Sequence, residues 1–531
     1  MVEPVSPAGV RNTIDSATPV AVIDIRPSLD YVEGNIKEST WVPRAVIEDR
    51  LPDVVPNPQT PVILCDDHGE RADDDARWLE RLGYATVDYL DGGLAAYRAA
   101  GYDLVEAEDG VHATAFHYES KEFGEVVANA ESLPKIGPKE LASIAEDVTI
   151  VDVRNPPEYD RYGSIPGSIN VEGVDLALFA EAVRDAEEPL VVHCAGRTRS
   201  IIGTATLRAL GFDEVYELEN GTMGWELEGY ELAAGSERVR DRKIPADRYR
   251  DLQEKTTALL QNTSVEWLSP AELDRIEDTV ESTQSVYVFD VRTDDEYSAE
   301  HHPEAISVAG GQLIQTAGSH IGVRTGEIVL ISNSHVRSAI TAYWLDRMGY
   351  PNVSVVRGGL SAWKEHGGAV ATGRPKTSLG DEIVEQAAAT ISPAELIEWR
   401  ATDEVEIIDV RDRAAYDDGH IAGAGWASRY ELEAVLAGAE HTGRIVITCA
   451  DGDVSRRAIA QSSIQGTAGD PAVELVAVRG GVAAWVEDGH PLETDVPRYL
   501  SDDREAVPKP YSQGREAMKR YLEWEENLVE G

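Results

Sequence analysis

The chain has 531 residues, 42% of them hydrophobic, with 96 acidic and 48 basic side chains and a net charge of −48. That length suits three or four domains and that apolar content suits buried cores, which argues against an acidic disordered chain. No basic face points to nucleic acid, and no apolar run reaches the roughly 20 residues of a membrane helix, so neither partner is expected.

The acids are scattered through every segment and Arg is preferred to Lys. Such a surface resembles the proteomes of salt-accumulating halophiles, where salt screens the self-repulsion. The opening MVEPVSPAGVRNT lacks a basic region followed by an apolar one, so no secretory signal is expected. Cys65, Cys194 and Cys449 lie too far apart for a disulfide framework or a paired-cysteine zinc site. A reduced cytoplasm is the expected setting.

Taken in chain order, the predicted elements repeat four times. A β-rich run ends in Asp-x-Arg at VAVIDIR (to Arg26), VTIVDVR (to Arg154), VYVFDVR (to Arg292) and VEIIDVR (to Arg411). A second apolar run follows in each: PVILC to Cys65, LVVHC to Cys194, IVLIS to Ser332 and IVITC to Cys449. These ends fall 41, 42, 42 and 40 residues after Asp24, Asp152, Asp290 and Asp409. A third landmark closes each unit: DGGLAAY from 91, NGTMGW from 220, RGGLSAW from 357 and RGGVAAW from 479. Three ordered landmarks recurring four times mark an internal repeat.

Helix-like stretches such as IIGTATLRALGF and AITAYWLDRMGY separate the apolar strands. That alternation predicts an α/β fold of four tandem domains, each a mostly parallel sheet flanked by helices on both faces. The domains are placed at 1–110, 130–235, 264–370 and 388–495, with a helical tail at 496–531. Among the connectors, 231–263 is charged and reads as helical, while 101–135 and 368–390 read as less regular. EAMKRYLEWEENL in the tail is amphipathic and is expected to pack on a domain.

The segment His193 to Ser200, HCAGRTRS, carries the chemistry. It puts Cys194 between the end of a buried strand and the start of a helix. Free N–H groups and the positive end of the helix dipole are available there. With Arg197 and Arg199 alongside, the thiol is expected to ionise with a pKa in the range of roughly 3.5–7.5. The same groups would hold an anion beside it. Ligand sites in such folds lie at the carboxyl ends of the strands, so Asp152 and Cys194 are expected to border one crevice.

The order Asp-x-Arg, EYDRYGSIPGSIN, strand-Cys-loop-Arg-Ser-helix and NGTMGW resembles the rhodanese family of sulfurtransferases. Domain 2 has Glu158, Tyr159, Gly163, Ile165, Pro166, Gly167, Ser168 and Asn170 in the middle motif, with Ser164 where the family often has His. Domain 4 keeps AYDDGHIAGA. The resemblance implies a six-residue active loop, CAGRTR, and a two-step transfer without a cofactor or metal. Cys194 would take sulfur from a small anionic donor of the thiosulfate or 3-mercaptopyruvate type. The resulting persulfide would pass it to a thiol acceptor, a small molecule or a thioredoxin-like protein. The resemblance further implies that N–H groups of Ala195, Gly196, Arg197, Thr198, Arg199 and Ser200 steady the persulfide, and that Arg197 and Arg199 hold the donor. Asp152 is expected to fix the loop backbone or an arginine, and Arg154 to pair locally, for example with Glu158.

Each sister loop has lost something different. Domain 3 has Ser332, which cannot carry a persulfide, although Arg337 and Ser338 remain. Domain 1 reads CDDHGER, with Glu70 at the position of Arg199 and with Asp66 and Asp67 expected to repel anions. Domain 4 reads CADGDVS, with Val454 at that position and Arg456 and Arg457 further along. Cys65 and Cys449 are therefore expected to be inert buried thiols. Two other readings stand beside sulfur transfer: a non-catalytic binding scaffold, and a phosphatase relative. The second needs Cys-x5-Arg, one residue longer than Cys194 to Arg199. Domain 1 has that spacing, Cys65 to Arg71, but inside an acidic loop.

Overall fold

Each repeat folds around its own parallel sheet, because its central strands are largely apolar and must be covered on both faces. The computed structural model describes every residue except 17, 108–110, 112–114, 184–187, 235–236, 239–243, 277–281, 375–377, 403–404, 439–442, 466–473, 495 and 530–531. Domains 1 and 3 have five-stranded sheets and domains 2 and 4 six-stranded ones, with flanking helices. In domain 2 the order across the sheet is Lys135–Ile136, Val215–Leu218, Leu190–His193, Thr149–Asp152, Ile169–Asn170 and Glu237–Arg238. Every neighbouring pair is parallel.

The two central strands carry the first two landmarks. Asp152 is in register with His193, so Cys194 emerges one residue later at the carboxyl edge of the sheet. The helix Thr198–Ala209 follows. Nine of its twelve residues are buried, from Thr198 to Leu207 with Arg199 excepted. A helix buried around most of its circumference needs neighbours on every side. Its own sheet covers one side, and domain 3 and the helix Tyr118–Glu131 cover the others.

The domains share interiors. Trp344 of domain 3 is fully buried and its indole donates to Thr206 Oγ1 of domain 2 at 2.8 Å. Tyr287 of domain 3 donates to the Val54 carbonyl of domain 1 at 2.7 Å, within one core common to both sheets. Arg44 of domain 1 bridges Asp75 and, in domain 4, Glu433, each at 2.9 Å.

The connectors are more ordered than the sequence predicts. The 101–135 stretch contains the helix Tyr118–Glu131, and 368–390 contains Asp381–Ala387. Both owe their order to neighbours: Val127 is sealed in the domain 2 core, and Val384 lies against Trp78 of domain 1. Within 231–263 the helix is Ala246–Leu259, while 235–236 and 239–243 lie outside the described residues. After domain 4 the chain adds Arg498–Tyr499 to that domain's sheet and passes domain 1, where Arg504 Nη2 meets Glu33 at 2.7 Å. It ends on domain 2 as the helix Arg515–Asn527, which buries Ala517, Met518, Tyr521, Leu522 and Glu525. Among the described residues no helix is long and apolar enough to cross a membrane.

Candidate active site

Ser200 supplies two groups to Cys194. Its N–H points at the sulfur, and its hydroxyl lies 3.6 Å from Sγ while donating to the Arg197 carbonyl at 2.7 Å. The third landmark lies under the loop. Gly221 has φ +52°, and a Cβ there would stand 2.2 Å from the Cys194 carbonyl oxygen. Thr222 and Met223 instead donate their N–H groups to the carbonyls of Cys194 and Ala195, at 2.9 and 3.0 Å.

The acidic thiol expected from the sequence is not what the closed loop holds. Cys194 is 2% exposed. Burial pushes its thiol above the ordinary value, although the Arg199 charge and the Ser200 bonds pull the other way. Desolvation disfavours the thiolate more than the local charges favour it.

The two loop arginines part company. Arg199 stands close enough for its charge to act on the Cys194 thiol and is held by Glu158 at 2.7 and 2.9 Å. Arg197 turns to the neighbouring helix, where Glu125 binds it at 2.6 and 2.8 Å, and it also reaches Glu526 at 3.3 Å. Ala195 and Gly196 complete the loop, and Thr198 donates to Glu525 Oε1 at 2.9 Å.

Asp152 and Arg154 brace the floor. Arg154 donates to Asp152 through its N–H and Nε, each at 3.0 Å, and through Nη2 to the Gly163 carbonyl at 2.6 Å. Arg154 thus pairs locally with Asp152, which fixes an arginine, while the example partner Glu158 is engaged elsewhere. Glu158 is taken by the longer reach of Arg199. Burial opposes the Asp152 charge, but His193, Arg154 and Ser164 hold its carboxyl below the ordinary range. Asn170, last residue of the middle motif, donates to the carbonyls of Asp152 and Arg154 at 3.0 and 2.8 Å.

Sequence reasoning missed the roof. A Cβ on Gly196 would lie 3.0 Å from Met223 Cε, 3.3 Å from Glu525 Oε2 and 3.6 Å from Tyr521 Cε1. The last helix thus covers the loop. Lys121, whose Nζ lies 5.2 Å from the centre of the Tyr521 ring, is lowered to about 7 by burial, with Glu525 opposing. Lys509, also lowered by burial, adds a cation near Glu158 and Arg199. The one legible signal was Tyr521 and Glu525, four residues apart on the face with Met518 and Leu522. A carboxylate on a buried stripe is unusual.

The sister loops occupy themselves. In domain 1 the Asp66 carboxylate accepts N–H bonds from His68, Arg71 and Ala72 at 3.0, 2.9 and 3.1 Å, so the cradle holds the chain's own anion. Burial and the nearby acids raise the Cys65 thiol well above the ordinary value. In domain 3 Ser332 faces Ser338 at 3.1 Å, and Arg337 is held by Asp175 and Glu296. In domain 4 Cys449 faces Ser455 at 3.5 Å, while Arg456 and Arg457 are drawn to Asp453 and Asp381. Among the described residues no group of three or more His, Cys, Asp or Glu is arranged to hold a metal.

The model of the rhodanese-like domain matches the chain four times, at residues 6–100, 137–228, 269–366 and 392–488. A crystal structure of a thiosulfate sulfurtransferase from Pseudomonas aeruginosa superposes with a TM-score of 0.89 at 31% identity, covering 100% of this chain and 97% of that one. A thiosulfate sulfurtransferase of Azotobacter vinelandii is 23% identical over 254 residues, 40% of this chain and 89% of the relative. The thiosulfate sulfurtransferase GlpE of Pseudoalteromonas translucida is 33% identical over 94 residues, 18% of this chain and 82% of the relative.

Proposed function

This chain belongs to the rhodanese family across all four of its domains, and on that footing we propose that domain 2 moves sulfane sulfur through a persulfide on Cys194. The observation that carries this reading is the contrast among loops. Among the described residues, domain 2 alone joins a cysteine to an arginine whose charge reaches the thiol and to a cradle its own acids leave open.

The Cys194 thiolate attacks the outer sulfur of an anionic donor, thiosulfate or 3-mercaptopyruvate. The donor's S–S or C–S bond breaks, and sulfite or the enolate of pyruvate leaves with the electron pair. Arg199, kept in place by Glu158, is the donor's counter-ion. Loop N–H groups, that of Ser200 foremost, stabilise the charge on the sulfur. Arg197 acts one step back, by tying the loop to Glu125. A thiol then removes the outer sulfur and returns Cys194 as thiolate. Three unpaired cysteines suit a reducing compartment such as the cytoplasm, and the dispersed acids suit high salt.

The test is a mass measurement. Protein mixed with thiosulfate or mercaptopyruvate in high salt gains one sulfur atom on the Cys194 peptide. No gain with either donor removes the persulfide reading.

A further inference from the structure

We propose that Glu525, from the last helix of the chain, is the base that takes the proton from a thiol acceptor as it attacks the Cys194 persulfide. This rests on the persulfide reading above and assigns the residue that handles the proton of its second half.

Glu525 is 1% exposed, and its two oxygens are differently engaged. Oε1 accepts from the Thr198 hydroxyl at 2.9 Å, which fixes the carboxylate against the active loop. Oε2 is buried with no partner at good hydrogen-bond geometry, although the Tyr521 hydroxyl is directed at the carboxylate, and it stands 3.3 Å from where a Cβ on Gly196 would be. A buried carboxylate oxygen left unpaired is costly and calls for an explanation in function. Here it faces the loop that would carry the outer sulfur.

The step balances without an oxidant or reductant. The thiol R–SH gives its proton to Glu525 Oε2, and the new thiolate attacks the outer sulfur. An R–S–S bond forms, the S–S bond to Cys194 breaks, and the electron pair stays on Cys194. Glu525 then releases its proton to water. A free thiol has a pKa of roughly 8.5 and is mostly protonated at neutral pH, so a positioned base is needed there.

The charged and titratable groups facing Glu525 are Lys121 and Glu125 from the helix Tyr118–Glu131, Arg197 from the loop, Cys194, and Tyr521 one turn earlier on its own helix. Burial raises the Glu525 carboxyl, and Lys121 is the largest influence pulling it back down.

The experiment uses the full chain loaded with thiosulfate, then discharged by dithiothreitol or by sulfite, whose dianion attacks with no proton to give. E525Q is expected to slow thiol discharge relative to sulfite discharge by on the order of 10²-fold just above neutral pH, where sulfite is mostly the dianion and the thiol still mostly protonated. The gap closes at alkaline pH, where the thiol ionises unaided. K121M is expected to move the acid limb of thiol discharge to higher pH, because the carboxylate loses its cation. Equal slowing with both acceptors, or none, overturns the assignment of Glu525, as does an unmoved limb in K121M. Failure of the wild-type chain to load sulfur at all points instead to failure of the persulfide reading.

Discussion

Arg197 and Glu125 form a two-point ion pair at 2.6 and 2.8 Å, with side chains 5% and 4% exposed. In the proposed reaction Arg197 therefore ties down the loop, and Arg199, held by Glu158, is the donor's counter-ion. Removing Arg197 strands a buried carboxylate, which costs about 3–5 kcal/mol. R197A is expected to unfold earlier in urea or on heating. R199A is expected to lose mainly kcat/KM for the anionic donor, by about 1.5–3 kcal/mol for a charge-assisted contact. The division of roles collapses if R197A keeps its stability and loses donor affinity as R199A does.

The cysteines give a direct comparison. Cys194→Ser is expected to abolish transfer. C65S and C449S keep most of it, because Asp66 fills the first cradle and the arginines of the last loop are drawn aside. Steady-state rates and the mass of each cysteine peptide after donor treatment report the result. Comparable losses in all three variants would contradict a single site.

Much of this was readable in the sequence, for a local reason. The Asp-x-Arg pair, the strand-end cysteine and the Gly-rich third landmark act within one domain, so each repeat spells them out. Gly93, Gly221, Gly359 and Gly481 recur because each backbone abuts its own loop, where a Cβ would collide with a carbonyl or its carbon. What stayed hidden comes from far along the chain. Glu125 precedes Arg197 by 72 residues, and Glu525 follows Thr198 by 327. Within one domain, the local pairing of Arg154 was legible but the partner named as an example was not, because Arg199 claims Glu158 and leaves Arg154 to Asp152. The thiol's direction of shift was missed because motif reading counts cations but does not see the helix that excludes water.

Domain 3 tests whether a cysteine alone suffices. Ser332, Ser338, Arg337 and Glu296 reproduce the layout of Cys194, Ser200, Arg199 and Glu158. Yet Arg337 also pairs with Asp175, and the loop faces a cleft of about 1130 Å³ lined by Glu172, Asp294, Asp295 and Glu296. In a C194S background, S332C is expected to react with neutral iodoacetamide and to take no sulfur from thiosulfate, since the acids repel the donor. Sulfur found on residue 332 would show that the missing thiol is all that silences this domain.

Two glycines separate conformational strain from collision. Gly211 has φ +85° and open space where a Cβ would project, with no atom within 4 Å, whereas at Gly221, φ +52°, a Cβ would strike the Cys194 carbonyl oxygen. G211A is expected to cost only the left-handed backbone penalty, about 1–2 kcal/mol, and to keep transfer. G221A is expected to cost more and to displace the loop, with a clear loss of sulfur loading. Thermal unfolding and donor kinetics on the pair decide this, and equal behaviour would mean that the third landmark does not support the loop.

The last prediction concerns pH and has two opposite signs. Burial raises the Cys194 thiol, the Ser200 hydroxyl lowers it, and the Glu525 charge raises it. Alkylation by iodoacetamide follows the thiolate, so its rate climbs with pH through the thiol's pKa. Ser200→Ala removes the hydroxyl whose proton turns from the Arg197 carbonyl to the sulfur when the thiolate forms, so the pKa rises and the climb moves to higher pH. Glu525→Gln removes a neighbouring negative charge, so the pKa falls and the climb moves to lower pH. Desolvation is common to both variants, because neither opens the roof, and the difference between them isolates the local charges from burial. Shifts of the same sign would mean that both substitutions act by loosening the helix Arg515–Asn527 over the loop, and that water access rather than these two contacts sets the ionisation of Cys194.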